Sequence, residues 1–115
     1  AQYAATLPNS IDILLLGMGG DGHTASLFPG HEAMGERDRA VVPVKGPKPP
    51  PWRLTITAPV VEAAARVYVL AHGEGKALKV AQAIQGPRDT AAVPIQLAAS
   101  AQGTWFLDKA SAALL

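Results

Sequence analysis

The chain has 115 residues, a formal net charge of +1, no cysteine and only 5% aromatic residues. That length suits a single domain; the near-neutral charge and scarce aromatics argue against a nucleic-acid interface, and the lack of cysteine excludes disulfides and thiolate metal sites and fits a reducing, cytoplasmic setting. No apolar run reaches the roughly 18 residues that suggest a membrane span, and residues 1–10 carry no basic start leading into an apolar core, so no signal peptide is expected.

Read in chain order, Ala1 to Pro8 suits the end of a helix. Ile11 to Leu15 places four apolar side chains in five positions, so 11–17 is expected as a buried strand. Four glycines follow within six positions, at 17, 19, 20 and 22, with Asp21 and His23 among them. Thr24 to Phe28 is expected as a single helical turn, and Pro29 to Arg39 as a polar loop. Ala40 to Val44 is a short strand. Gly46-Pro-Lys-Pro-Pro-Pro51 is stiff extended chain without amide donors at its prolines. Leu54 to Thr57 is a strand, and Pro59 suits the first position of a helix running to about Ala65. Val67 to Ala71 reads as a central strand. Gly75 to Gln85 reads as a helix with Ala77, Leu78, Ala81 and Ile84 on one face, and Gly86-Pro87 ends it. Gly103 to Leu107 is a last strand, and Asp108 caps a helix through Leu114. Alternating strands and helices imply an α/β fold: a Rossmann-like, open, mostly parallel sheet with flanking helices.

An apolar strand that delivers Asp21 and His23 onto a glycine loop suits chemistry at the carboxyl ends of parallel strands. Gly17, Gly19 and Gly22 also spell G-x-G-x-x-G, but Pro29-Gly30 leaves no room for the full helix that a dinucleotide site needs. His23 is a candidate general base, since an ordinary imidazole accepts a proton near neutrality. Asp21 either orients His23 or caps the turn that follows. The Gly19 and Gly20 N–H groups either face an oxyanion or only shape a tight turn. Lys76 stands at a helix start beside glycines, which suits a phosphate; the alternative is a solvated lysine. Arg53, entering a strand from the proline run, either forks onto a phosphate or sugar oxygen or lies on an edge-strand surface. Lys45 and Lys48 read as solvated, and Trp105 and Phe106 as core. His72 could face the same crevice as His23. His23, His31 and His72 have no metal-ligand spacing.

The run Gly-Met-Gly-Gly-Asp-Gly-His-Thr-Ala-Ser-Leu-Phe-Pro-Gly30 after an apolar strand resembles the signature of 6-phosphogluconolactonases. Lys48-Pro-Pro-Pro-Trp-Arg-Leu-Thr-Ile-Thr57, Gly73-Glu-Gly-Lys-Ala77, Pro94-Ile-Gln96 and Trp105-Phe-Leu-Asp-Lys-Ala110 resemble later segments of that family, in its order. The related glucosamine-6-phosphate deaminases place a Glu before the Pro-Gly, where this chain has Phe28, which favours the lactonase. The family's chains are longer, so residues 1–115 are expected to form the C-terminal half of a larger domain.

The resemblance implies hydrolysis of 6-phospho-D-glucono-1,5-lactone in the pentose phosphate route, without a cofactor. His23 would act as base on water with Asp21 as its orienter, Gly19 and Gly20 on the oxyanion, and Lys76 with Arg53 on the phosphate. A glucosamine-6-phosphate deaminase, or a sugar-phosphate-binding piece with an incomplete site, are the rival readings.

Overall fold

Apolar strands are interspersed with short helices along the chain. The computed structural model describes residues 1–100 and 102–115. In chain order the elements are α1 (Gln2–Thr6), β1 (Ile13–Gly17), β2 (Val41–Lys45), β3 (Trp52–Ile56), α2 (Ala58–Ala63), β4 (Arg66–Ala71), α3 (Ala77–Gln85), α4 (Gln96–Ser100) and β5 (Thr104–Leu107). Single 3-10 turns lie at Glu32–Gly35 and Glu74–Lys76. The sequence pattern marks no element at α4.

Strands β1, β4 and β5 form a parallel sheet in the order β1-β4-β5, with Leu16 opposite Val69 and Val69 opposite Trp105. β4 is the central strand, as its apolar sequence predicts. β2 and β3 leave this sheet and pair antiparallel as a hairpin, from Val41 opposite Ile56 to Lys45 opposite Trp52. Their connection is too short for a parallel crossover, which needs a dozen or more residues. The Gly46 N–H closes the hairpin on Pro51 O at 2.6 Å.

One face of the parallel sheet carries the core. Leu16, Val67, Val69 and Ala71 pack there with Val61 of α2, Val80 of α3 and Leu97 of α4. Burying a valine of this kind contributes about 1.5–3 kcal/mol. The other face is bare: Ile13, Leu15, Leu70 and Phe106 are 59, 65, 52 and 55% exposed. β1 is therefore not the buried strand its leucines suggest, and Phe106 is not core. It lies outside against the Tyr68 ring, with centroids 5.7 Å apart, whereas Trp105 packs partly on the core. Among the described residues no helix is long and apolar enough to cross a membrane.

Three local expectations are corrected by tertiary contacts. In α3 the buried row is Ala77, Val80 and Ala83, while Leu78 and Ile84 are exposed. Both rows fit a helical repeat, and the docking of the helix on the sheet selects the row. Residues 24–28 form no helical turn. Thr24 bridges to Leu27, Ala25 sits at φ +50°, and Leu27 and Phe28 are pulled into the interior. Residues 109–114 are successive turns rather than a helix. Asp108 still caps them, accepting from Ser111 N at 2.9 Å, and the same carboxylate accepts from Gly73 N at 3.1 Å. The chain end is thereby tied to the loop after β4.

Candidate active site

The parallel strands end side by side, so the segment after β1 and the segment after β4 meet at one edge of the sheet. Gly17, Met18, Gly19, Gly20, His23, Thr24, Ala25, Lys48 and Lys76 line an open cleft there of about 460 Å³. Four of the six candidate residues, Gly19, Gly20, His23 and Lys76, line it directly. Asp21 stands behind His23.

The loop that carries His23 is fixed from both sides. Inside the loop, Gly19 N donates to His23 O and Gly22 N to Gly19 O, both at 2.9 Å. The Thr24 hydroxyl donates to Gly17 O at 2.9 Å. From outside, Ile95 N donates to Gly22 O at 2.9 Å, and Gly22, at φ +89°, lies against Val93. The 93–96 segment is held in turn by the buried Gln96 side chain, which accepts from Asp89 N and donates to Pro87 O and Gln82 O. The Pro94-Ile-Gln96 run thus supports the site from behind, a role its composition does not reveal.

Asp21 Oδ1 accepts twice from one residue: His23 N at 3.0 Å and His23 Nδ1 at 2.5 Å. The first contact is the Asx-turn reading of Asp21 and the second its orienting reading, so the two coexist. Burial pushes the Asp21 carboxyl up, but hydrogen bonds from His23 and the charges of His23 and Lys48 together outweigh it and leave the carboxyl below its ordinary value. A carboxylate on Nδ1 selects the tautomer whose Nε2 is the acceptor.

Gly19 has a different part from the one its N–H suggests. That N–H is committed to His23 O, so it is not an oxyanion donor. Its α-carbon is instead the floor under the imidazole: a Cβ there would stand 2.1 Å from His23 Cε1 and Nδ1. No side chain fits beneath the ring, which is why glycine is required. The Gly20 N–H has no acceptor among the described residues.

Lys76 closes the 3-10 turn before α3 and donates to Met18 O at 2.5 Å, which anchors its ammonium at the glycine loop. Lys48, which reads as solvated in the sequence, lines the same cleft from the hairpin loop. Its position depends on a long-range approach that no local pattern encodes. Arg53 is not in the cleft. Its Nε donates to Pro50 O at 3.0 Å and its Nη2 to Lys48 O at 3.3 Å, and its guanidinium carbon lies 5.3 Å from the Phe28 ring centre. Phe28 is buried and tilted against His23, with ring centroids 4.8 Å apart. His31 lies elsewhere, with Nδ1 accepting from Ala33 N. His72 lies beside Asp108 and does not line the cleft. Among the described residues no three His, Asp or Glu side chains gather as a metal-binding group.

Comparison with known proteins agrees with the motif resemblance. The family model of glucosamine-6-phosphate isomerases/6-phosphogluconolactonase matches residues 1–107. The 6-phosphogluconolactonase of Rattus norvegicus is 46% identical over 107 residues, covering 90% of this chain and 41% of the relative. That of Streptomyces coelicolor is also 46% identical, covering 92% of this chain and 41% of the relative. The structure of 6-phosphogluconolactonase from Trypanosoma cruzi superposes with a TM-score of 0.79 at 35% identity, over 92% of this chain and 41% of that one. The chain thus spans about two-fifths of the length of these relatives. With a match that runs from the helix before β1 to the last strand, and that takes in the whole Asp21–His23 loop, the chain belongs to the glucosamine-6-phosphate isomerase/6-phosphogluconolactonase family.

Proposed function

We propose that this chain carries the hydrolytic site for 6-phospho-D-glucono-1,5-lactone, giving 6-phosphogluconate. The observation that carries the proposal is the His23–Asp21 pair, joined at 2.5 Å and set on Gly19 at the carboxyl edge of the sheet, facing a cleft lined by two lysines. With Nδ1 donating to Asp21, the Nε2 of His23 takes a proton from water as the water oxygen attacks the lactone carbonyl. Negative charge develops on the carbonyl oxygen, and the donor proposed for it is the Gly20 N–H, which has no acceptor among the described residues. The tetrahedral intermediate collapses by breaking the bond from C1 to the ring oxygen, which takes the proton back from the imidazolium. Asp21 stabilises the imidazolium between these steps without itself taking the proton.

Lys76 and Lys48, which both line the cleft, bind the phosphate as point charges. Arg53, expected on the phosphate from the sequence, acts behind Lys48 instead. The reading is supported by the names of the relatives, each a 6-phosphogluconolactonase. The test is hydrolysis of freshly made lactone above its spontaneous rate, beside His23→Gln. Turnover lost in the variant, with circular dichroism unchanged, is the expected result. Equal turnover in both proteins removes His23 from the chemistry.

A further inference from the structure

We propose that Arg53 is a positioning residue: stacked on the buried Phe28 ring and forked onto the carbonyls of Lys48 and Pro50, it holds the loop from which Lys48 lines the His23 cleft. The proposal rests on the reading of that cleft as an anion site.

Lys48 sits in the exposed loop from 46 to 51, joining two strands that lie outside the main sheet. A free lysine side chain there loses rotamer and loop entropy on gripping an anion, which weakens the grip. Three contacts remove the loop's share of that freedom in advance. Gly46 N donates to Pro51 O, closing the loop. A Cβ at Gly46 would lie 2.8 Å from Phe28 Cε2, so the loop base rests directly on the ring. The Arg53 fork then reaches the carbonyl of Lys48 itself, with Pro49 O at 3.5 Å.

Phe28 connects the two halves of the site. It touches the His23 imidazole on one side and the Arg53 guanidinium on another. The base and the hairpin cation are therefore referenced to one buried ring. The planar guanidinium suits both the stack and the fork, whereas a lysine at 53 would keep the charge and lose both. Arg53→Lys consequently separates a charge role from a positioning role.

The test compares the wild-type chain with Lys48→Met, Arg53→Lys and the double variant. One readout is the titration midpoint of the Asp21 carboxyl, followed by carbon-13 NMR. His23 and Lys48 are the charged groups that act on that carboxyl. The other readout is the affinity for 6-phosphogluconate, by calorimetry. Loss of the Lys48 charge raises the Asp21 midpoint. Arg53→Lys raises it equally, although the positive charge at 53 is kept, and the double variant adds nothing further. Affinity falls about ten-fold in each single variant and no more in the double. A purely structural role would lower the thermal midpoint and leave the Asp21 midpoint where it was.

The proposal is overturned if Arg53→Lys keeps the wild-type Asp21 midpoint while Lys48→Met moves it. Additive effects in the double variant overturn it as well, as does a Lys48→Met variant with an unmoved midpoint. If 6-phosphogluconate fails to bind the wild-type chain, the anion reading fails, and the Asp21 midpoints still decide whether Arg53 positions Lys48.

Discussion

Replacing Gly19 with alanine should disable the His23–Asp21 pair while sparing the fold. The new Cβ would lie 2.1 Å from both Cε1 and Nδ1 of His23 and 2.8 Å from Asp21 Oδ1. Comfortable contact between such atoms begins at about 3.5 Å, so the ring must retreat by roughly 1.4 Å or the loop must open. The two side chains meet in one 2.5 Å contact, beside the His23 N–H bond to the same oxygen, and a shift of that size takes the side-chain contact outside hydrogen-bonding range. A misplacement of about 1 Å at a catalytic group can cost on the order of 100-fold in rate, so lactone hydrolysis should fall at least about 100-fold. The assay is kcat/KM for the fresh lactone, together with the downfield proton resonance of His23 Nδ1–H, which reports the Asp21 contact independently of turnover. Gly17→Ala is the control for the resonance, because a Cβ at Gly17 meets nothing within 4 Å. A Gly19→Ala chain that keeps both the resonance and turnover within two-fold of the wild type would refute the reasoning.

Other outcomes follow from the same geometry. Asp21→Asn should keep the fold but offer Nδ1 the wrong partner, lowering kcat by up to about 10⁴-fold, the loss that the equivalent change causes in the serine-protease triad; single-turnover kinetics with KM held in view check it. Glu36 accepts from Asp38 N, Arg39 N and Arg39 Nε, and these bonds hold its carboxyl down at about 2. A depressed folded-state value means that the contribution to stability is complete above the ordinary glutamate range and is lost as pH falls towards 2. Urea midpoints between pH 6 and pH 2.5 should therefore drop less steeply in Glu36→Gln than in the wild type. In α3, Val80→Ala should cost about 2 kcal/mol in urea unfolding, because Val80 is fully buried. Ile84→Gln should stay within about 0.5 kcal/mol, as an exposed position does. The reverse order would mean that α3 docks by its other face.

The sequence by itself determined the class of fold and the place of the candidate site. Apolar runs at 11–17 and 67–71, each followed by glycine and then by a polar or helical segment, specify parallel strands with loops at their carboxyl ends. Asp21 and His23, two residues apart with a glycine between, can meet within their own loop, so that pair was legible before any tertiary contact was known. Lys76 was legible for the same reason, since it opens the helix that follows the central strand.

Tertiary structure decided what depends on distant approach. Ala77, Val80 and Ala83 form as good a helical row as Leu78 and Ile84, and only docking on the sheet selects between them. The chain at 24–28 could form a helical turn, but burial of Leu27 and Phe28 is worth more than one turn of intrahelical hydrogen bonding, and the backbone adopts the bridge instead. Gly19 looked like an amide donor and proved to be the floor under an imidazole. Lys48 lines the cleft and Arg53 does not, because the hairpin folds its proline loop over Phe28, which brings one cation to the cleft and turns the other onto the loop behind it. Local patterns fix which backbone conformations are cheap; which side chains then share a cleft is set by how the finished elements pack.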